Sequence, residues 1–116
     1  MKHSTGKPTK AEEKRFQALH KIGCIACLKL HLGSVCEIHH IVDRGTRKAS
    51  GGHMATLPLC LWHHRGIPPT GISEAYWERI YGPSFALNKK AFIERFGNER
   101  TLLEEVDEMI ARRFAA

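Results

Sequence analysis

Three features of the sequence predict an α+β fold, with two strands and a short helix tied by a metal ion between flanking N- and C-terminal helices. The first is a pair of knuckles, Cys24-Ile25-Ala26-Cys27 and Cys60-Leu61-Trp62-His63. The second is the rough alternation of apolar and polar residues over 35–42, followed by a second strand-like run at 54–59. The third is the helical spacing of apolar residues at both ends of the chain. A length of 116 residues suits one domain, and 8% aromatic residues imply a modest core. Cores of that size often need help from a metal or from disulfides.

The elements follow in order. Residues 1–8 are polar and carry Gly6 and Pro8, as a flexible tail does. From 9 to 116 the chain reads as a single domain, with a core at 23–66 and a C-terminal helical part at 73–114. Thr9 and Glu12 form a capping box, each side chain satisfying an amide of the first turn. Phe16, Leu19 and Ile22 make an inward stripe, and Gly23 ends the helix. Residues 24–34 read as a metal-knuckle loop, 35–42 as a strand, 43–52 as a loop and 54–59 as the second strand. A short helical turn follows Cys60 and stops at Gly66 and Pro68-Pro69. Ser73 caps a helix to Tyr81, stopped by Gly82-Pro83, and another helix spans 86–96 with Leu87, Ala91, Phe92 and Phe96 apolar. Thr101 and Glu104 form a further capping box before an amphipathic helix bearing Leu102, Leu103, Val106, Met109, Ile110 and Phe114.

Composition narrows the function. Hydrophobic residues make up 42% and charged residues 26%, as in ordinary globular domains. Apolar runs such as 57–62 fall far short of the roughly 20 residues of a membrane span. No apolar stretch follows the first charges, so a signal peptide is not expected and a cytosolic chain is. The net charge is +6, and residues 1–65 hold eleven basic against four acidic side chains. A basic half beside a near-neutral half points to a polyanion partner, nucleic acid first.

The chain has four cysteines and eight histidines. In a secreted chain the cysteines would make two disulfides, but cytosolic thiols stay reduced, so metal binding is the better reading. A two-residue gap aims two ligands at one ion, and two such knuckles complete a tetrahedron. Soft thiolate and imidazole ligands favour zinc. Cys24, Cys27, Cys60 and His63 are therefore expected to hold a structural Zn²⁺. Cys36 is left over and reads as a small buried strand residue.

Other histidines remain. His39 and His40 are neighbours on a strand, so their side chains point to opposite faces and serve different partners. His64 follows His63 on a helical turn and points about a quarter-circle away, which reserves it for a second site. Phosphodiester hydrolysis needs these parts: a divalent cation for the phosphate and leaving oxygen, and a neutral imidazole to take a proton from water. Arg44, Arg47, Lys48 and Arg65 flank the site and are candidates for phosphate contact, for which guanidinium has paired donors.

The segment from Gly23 to Gly66 resembles the HNH (ββα-metal) endonucleases. The strings GCIAC, EIHHI and PLCLWHHRG, with GPSFA and FG downstream, most resemble the RecA-dependent recombination-enhancement (Ref-type) nucleases. The resemblance implies a zinc-stabilised treble-clef/ββα-metal core and metal-dependent cleavage of DNA by an endodeoxyribonuclease. It implies His39 and His64 as ligands of the catalytic cation, Mg²⁺ or another divalent ion, and His40 as general base. It also implies DNA and a RecA-type recombinase filament as partners, in the cytoplasm of a bacterial or phage-infected host cell. Two departures stand out. The middle Asn of the HNH pattern falls near Ala55, and Thr56 or His53 would have to replace its bond. The later metal ligand one turn beyond His64 is replaced by Pro68, which leaves His53 as a candidate third ligand. The competing functions are a zinc module that binds nucleic acid without cutting and a protein-interaction module that docks through the last helix.

Overall fold

The computed structural model describes residues 6–114, so most of the expected 1–8 tail lies outside the described residues. Helix α1 (Lys10–Ile22) opens with the expected capping box: the Thr9 amide donates to Glu12 Oε1 at 2.8 Å and the Glu12 amide to Thr9 Oγ1 at 3.2 Å. Gly23 ends it with φ +80°, and a Cβ there would stand 2.5 Å from the Ser34 carbonyl oxygen. Only glycine fits both demands.

The stretch expected as a knuckle loop contains a short helix, α2 (Ile25–Lys29). The Cys24 sulfur accepts from the Cys27 amide at 3.4 Å, as an N-cap side chain does, so the knuckle itself starts a helical turn. Cys60 repeats the device for α3 (Leu61–Arg65), its sulfur accepting from the His63 amide at 3.4 Å. Gly66 closes α3 in the left-handed conformation, with its amide on the Trp62 carbonyl at 2.7 Å.

Between these helices lie β1 (Glu37–His40) and β2 (Thr56–Leu59), paired antiparallel with Glu37 opposite Leu59 and His40 opposite Thr56. Both strands are shorter than expected. Val35 is 88% exposed and precedes the ladder, and Gly52–Met54 form a 3-10 turn that takes the start of the second run. The C-terminal half adds α4 (Glu74–Tyr81), α5 (Lys89–Phe96) and α6 (Glu99–Phe114). Ser73 caps α4 as expected. Asn88 caps α5, which starts later than expected. Asn98 Oδ1 accepts from the Thr101 amide at 2.8 Å, so Thr101 lies inside the first turn of α6 and is not its cap.

This is the expected α+β architecture, and its helices cover the small sheet. Leu19, Ile41, Leu57, Leu59, Phe92, Leu102 and Val106 form the buried centre. Arg15 is buried at the junction of α1, β2 and α6. Its guanidinium donates to Thr56 Oγ1 at 2.9 Å, the Thr56 carbonyl at 2.7 Å and Asp107 Oδ1 at 2.7 Å, which offsets the cost of burying the charge. No described helix is long and apolar enough to cross a membrane.

Candidate active site and metal centre

The two knuckles meet. The Sγ atoms of Cys24, Cys27 and Cys60 and a ring nitrogen of His63 all lie within 4.8 Å of one another. His63 Nδ1 is 3.5 Å from the sulfurs of Cys24 and Cys27 and 3.2 Å from that of Cys60. His63 Nε2 donates to the Tyr81 carbonyl at 2.9 Å, which fixes the ring with Nδ1 turned to the sulfurs. Burial alone would lower the His63 pKa, but hydrogen bonds to Cys27 and Cys60 outweigh it and lift it to about 9. A Cys₃His donor set of this kind could bind zinc. Cys36 is not part of it: it is half-buried, with its sulfur 3.5 Å from the Leu19 carbonyl, and burial pushes its thiol up to about 11.

A second group gathers around β1. The rings of His39 and His64 stand edge to face with centroids 5.0 Å apart. Each imidazole has a carboxylate partner. His39 Nε2 lies 2.7 Å from Glu99 Oε2, and His64 Nδ1 lies 2.9 Å from Glu37 Oε1. Glu37 also accepts two bonds from Arg65, at 3.0 and 2.7 Å. Burial pushes the Glu37 carboxyl up, but the bonds from His64 and Arg65 outweigh it and hold it below its usual value. Burial, aided by the nearby His39, lowers His64 despite its bond to Glu37. Among the described residues, only the Cys₃His set closes as a group of three or more metal-ligand atoms. His39 and His64 are two neighbouring donors, each held by its own acid.

His40 points elsewhere, as strand alternation requires. Its Nε2 lies 3.0 Å from His53 Nδ1, and His53 Nε2 lies 2.8 Å from the Gly6 carbonyl. Phe16 stands edge-on to both rings, with centroids 6.3 Å from His40 and 5.4 Å from His53. Burial and the nearby charge of Arg47 push His40 down to about 4. His53, a candidate for the cation shell from sequence, is thus placed beside His40. Thr56, the other candidate for the missing Asn bond, donates to the His53 carbonyl at 2.9 Å and does not bond His40.

Arg44, Arg47 and Lys48 are exposed on the loop after β1. Ser50 closes that loop, accepting from the Arg44 amide at 3.0 Å and donating to the Thr46 carbonyl at 2.6 Å. Arg100 of α6 clamps Asp43 through two bonds, at 2.8 and 2.7 Å. Arg65 is exposed but committed to Glu37.

Sequence reasoning missed both carboxylates. Glu37 carried a signal, since it sits two residues before His39 and so shares its strand face. Glu99 carried none, because an acid in the first turn of a helix is ordinary dipole compensation.

A family model described as recombination enhancement, RecA-dependent nuclease matches residues 8–111. The match takes in both knuckles, the paired strands and nearly all of α6. It makes the chain an enzyme acting on nucleic acid, with a role in recombination that depends on RecA. The chain belongs to the family of RecA-dependent nucleases of recombination enhancement.

Proposed function

We propose that this chain is a metal-dependent DNA endonuclease of HNH type, which hydrolyses a phosphodiester with a water deprotonated by His40. The observation that carries the reading is the meeting of His39 and His64, each with one ring nitrogen on a carboxylate. A carboxylate that accepts from one nitrogen leaves the other with its lone pair, the state a metal-binding imidazole needs. His39 would present Nδ1 and His64 would present Nε2. A divalent cation bound there, Mg²⁺ or another, supplies positive charge for the crowded phosphate and the leaving oxygen. The two imidazole donors, each backed by a carboxylate on its far nitrogen, would suit a divalent transition metal.

His40 lies on a separate hydrogen-bond network from these two, and at pH 7 its ring is neutral and able to accept a proton. A general base in this role contributes about 10²–10⁴-fold. Arg44, Arg47 and Lys48 supply contacts to the DNA backbone, and a phosphate paired with Arg47 would cancel part of the charge that lowers His40. The Cys₃His knot would hold a structural zinc that fixes α3, and with it His64, against the strands. The substrate in the cell is DNA held by a recombinase filament in the cytoplasm of a bacterial or phage-infected host.

The test is cleavage of naked plasmid and of filament-bound DNA by the zinc-loaded protein, with and without a chelator too weak to strip the knot. We expect cleavage of filament-bound DNA that needs added divalent ion and is lost in His64→Ala. DNA binding without cleavage under every condition would favour a non-catalytic zinc module. Equal cleavage with and without the filament would remove the filament from the reading.

A further inference from the structure

His40 must act through one particular ring nitrogen, and its neighbours determine which. The Gly6 carbonyl can only accept, so His53 Nε2, 2.8 Å away, carries the hydrogen. When His53 carries a single N–H, that hydrogen is spent on Gly6 and Nδ1 is an acceptor. The group facing it at 3.0 Å is His40 Nε2, which must then bring its own hydrogen. His40 is left with its lone pair on Nδ1. The hydrogen bond that the His40 side chain makes among the described residues is the one at Nε2.

The surroundings hold this chain of bonds in place. The His53 side chain is buried, and Phe16 packs edge-on against both rings. The His53 carbonyl accepts from Thr56 Oγ1 at 2.9 Å, and that hydroxyl accepts from the buried Arg15 at 2.9 Å. The His53 main chain sits in the 3-10 turn Gly52–Met54, entered through Gly51 at φ +119°. A Cβ on Gly51 would meet the Ala55 side chain at 2.8 Å. The turn is therefore built tightly for the residue it presents.

We propose that His53 is a positioning residue for His40: it holds the ring in the tautomer whose Nδ1 accepts the proton of the attacking water, and the Gly6 carbonyl sets the direction of the relay. The proposal rests on His40 being the general base. It assigns His53 to the base and not to the cation, and it makes Gly6, ahead of α1, part of the site. With the opposite tautomer, an N–H would face the water and could not take its proton.

The experiment uses the full-length, zinc-loaded protein. In ¹⁵N NMR at pH 7, His40 is expected to be protonated at Nε2 and bare at Nδ1, with a through-hydrogen-bond coupling between His40 Nε2 and His53 Nδ1. A His40 protonated at Nδ1 would overturn the proposal. In cleavage, His53→Phe keeps a ring against Phe16 but offers no acceptor. It should lower kcat by about 10–100-fold at similar KM and zinc content, the range seen when an outer orienting partner is removed. His53→Asn restores an acceptor close to Nδ1 and should recover kcat to within a few-fold. Equal kcat in the Phe and Asn variants would reduce His53 to packing. Undiminished cleavage by His40→Ala would instead overturn the underlying assignment of the base, whatever the His53 variants do.

Discussion

Glu99 Oε2 lies 2.7 Å from His39 Nε2, with both side chains only 8% exposed. The pair joins the first turn of α6 to the third residue of β1, across 60 positions of sequence. The C-terminal helix therefore reaches the paired imidazoles of His39 and His64. Two charged or polar groups removed from water must satisfy each other, and these two do.

If Glu99 orients His39 toward a cation, Glu99→Ala should weaken divalent-ion binding by about 10–100-fold. Calorimetric titration of the zinc-loaded protein with Mn²⁺ measures this without reference to cleavage. Glu99→Gln keeps an acceptor for the imidazole N–H and should lose less. Unchanged affinity in Glu99→Ala would take the carboxylate out of the site.

With zinc as the proposed occupant of the Cys₃His knot, its removal should unfold the protein. Structural zinc contributes on the order of 10–16 kcal/mol of apparent binding free energy in small zinc domains. Whole domains are stable by only about 5–15 kcal/mol. Cys60→Ser should therefore bind zinc poorly and melt far below the parent protein, as read by metal analysis and circular dichroism. A metal-free protein that melts at the parent temperature would contradict a structural role.

The depressed His40 pKa makes stability depend on pH. Folded His40 titrates at about 4 and the unfolded side chain near 6.5, so between these values the unfolded chain binds more protons. His40 therefore favours the folded state fully above pH 6.5, and that contribution is lost as pH falls toward 4. The melting temperature should drop over this window, and the drop should be shallower in His40→Gln. Parallel curves for the two proteins would show that His40 is not the cause. Protonation of the zinc ligands affects both proteins alike.

The loop cations should bind phosphates. Replacing Arg44, Arg47 and Lys48 together with alanine should flatten the slope of log affinity against log salt by about 2–3, since each phosphate neutralised by a cation adds about 0.9 to that slope. Arg65→Ala should change it less, because Arg65 is already paired with Glu37. A triple variant with the parent slope would move the DNA to another face.

Much of the candidate site was legible because its residues are close in sequence. The C-x₂-C and C-x₂-H knuckles carry their geometry in their spacing, and the structure brings the four expected donor atoms together. The adjacent His39 and His40 had to diverge once they lay on a strand, and they do. The helix ends were marked by Thr9, Gly23, Ser73 and Gly66. Less was visible where an interaction spans the chain. Nothing local marks Glu99 as a partner of His39, or Gly6 as a partner of His53. The misplaced start of α6 has a local cause: Asn98 and Thr101 are both good caps, and the earlier one prevails. The short helix after Cys24 was hidden because a knuckle and a helix N-terminus look alike in sequence.

The most direct measurement is single-turnover cleavage of filament-bound DNA by His40→Ala, at saturating divalent ion, with zinc content and DNA affinity measured on the same sample. We expect cleavage to fall by at least about 10²-fold, the lower bound for removal of a general base, while zinc content and affinity stay at parent levels. Cleavage at the parent rate by a variant that still holds zinc and binds DNA would contradict the role given to His40.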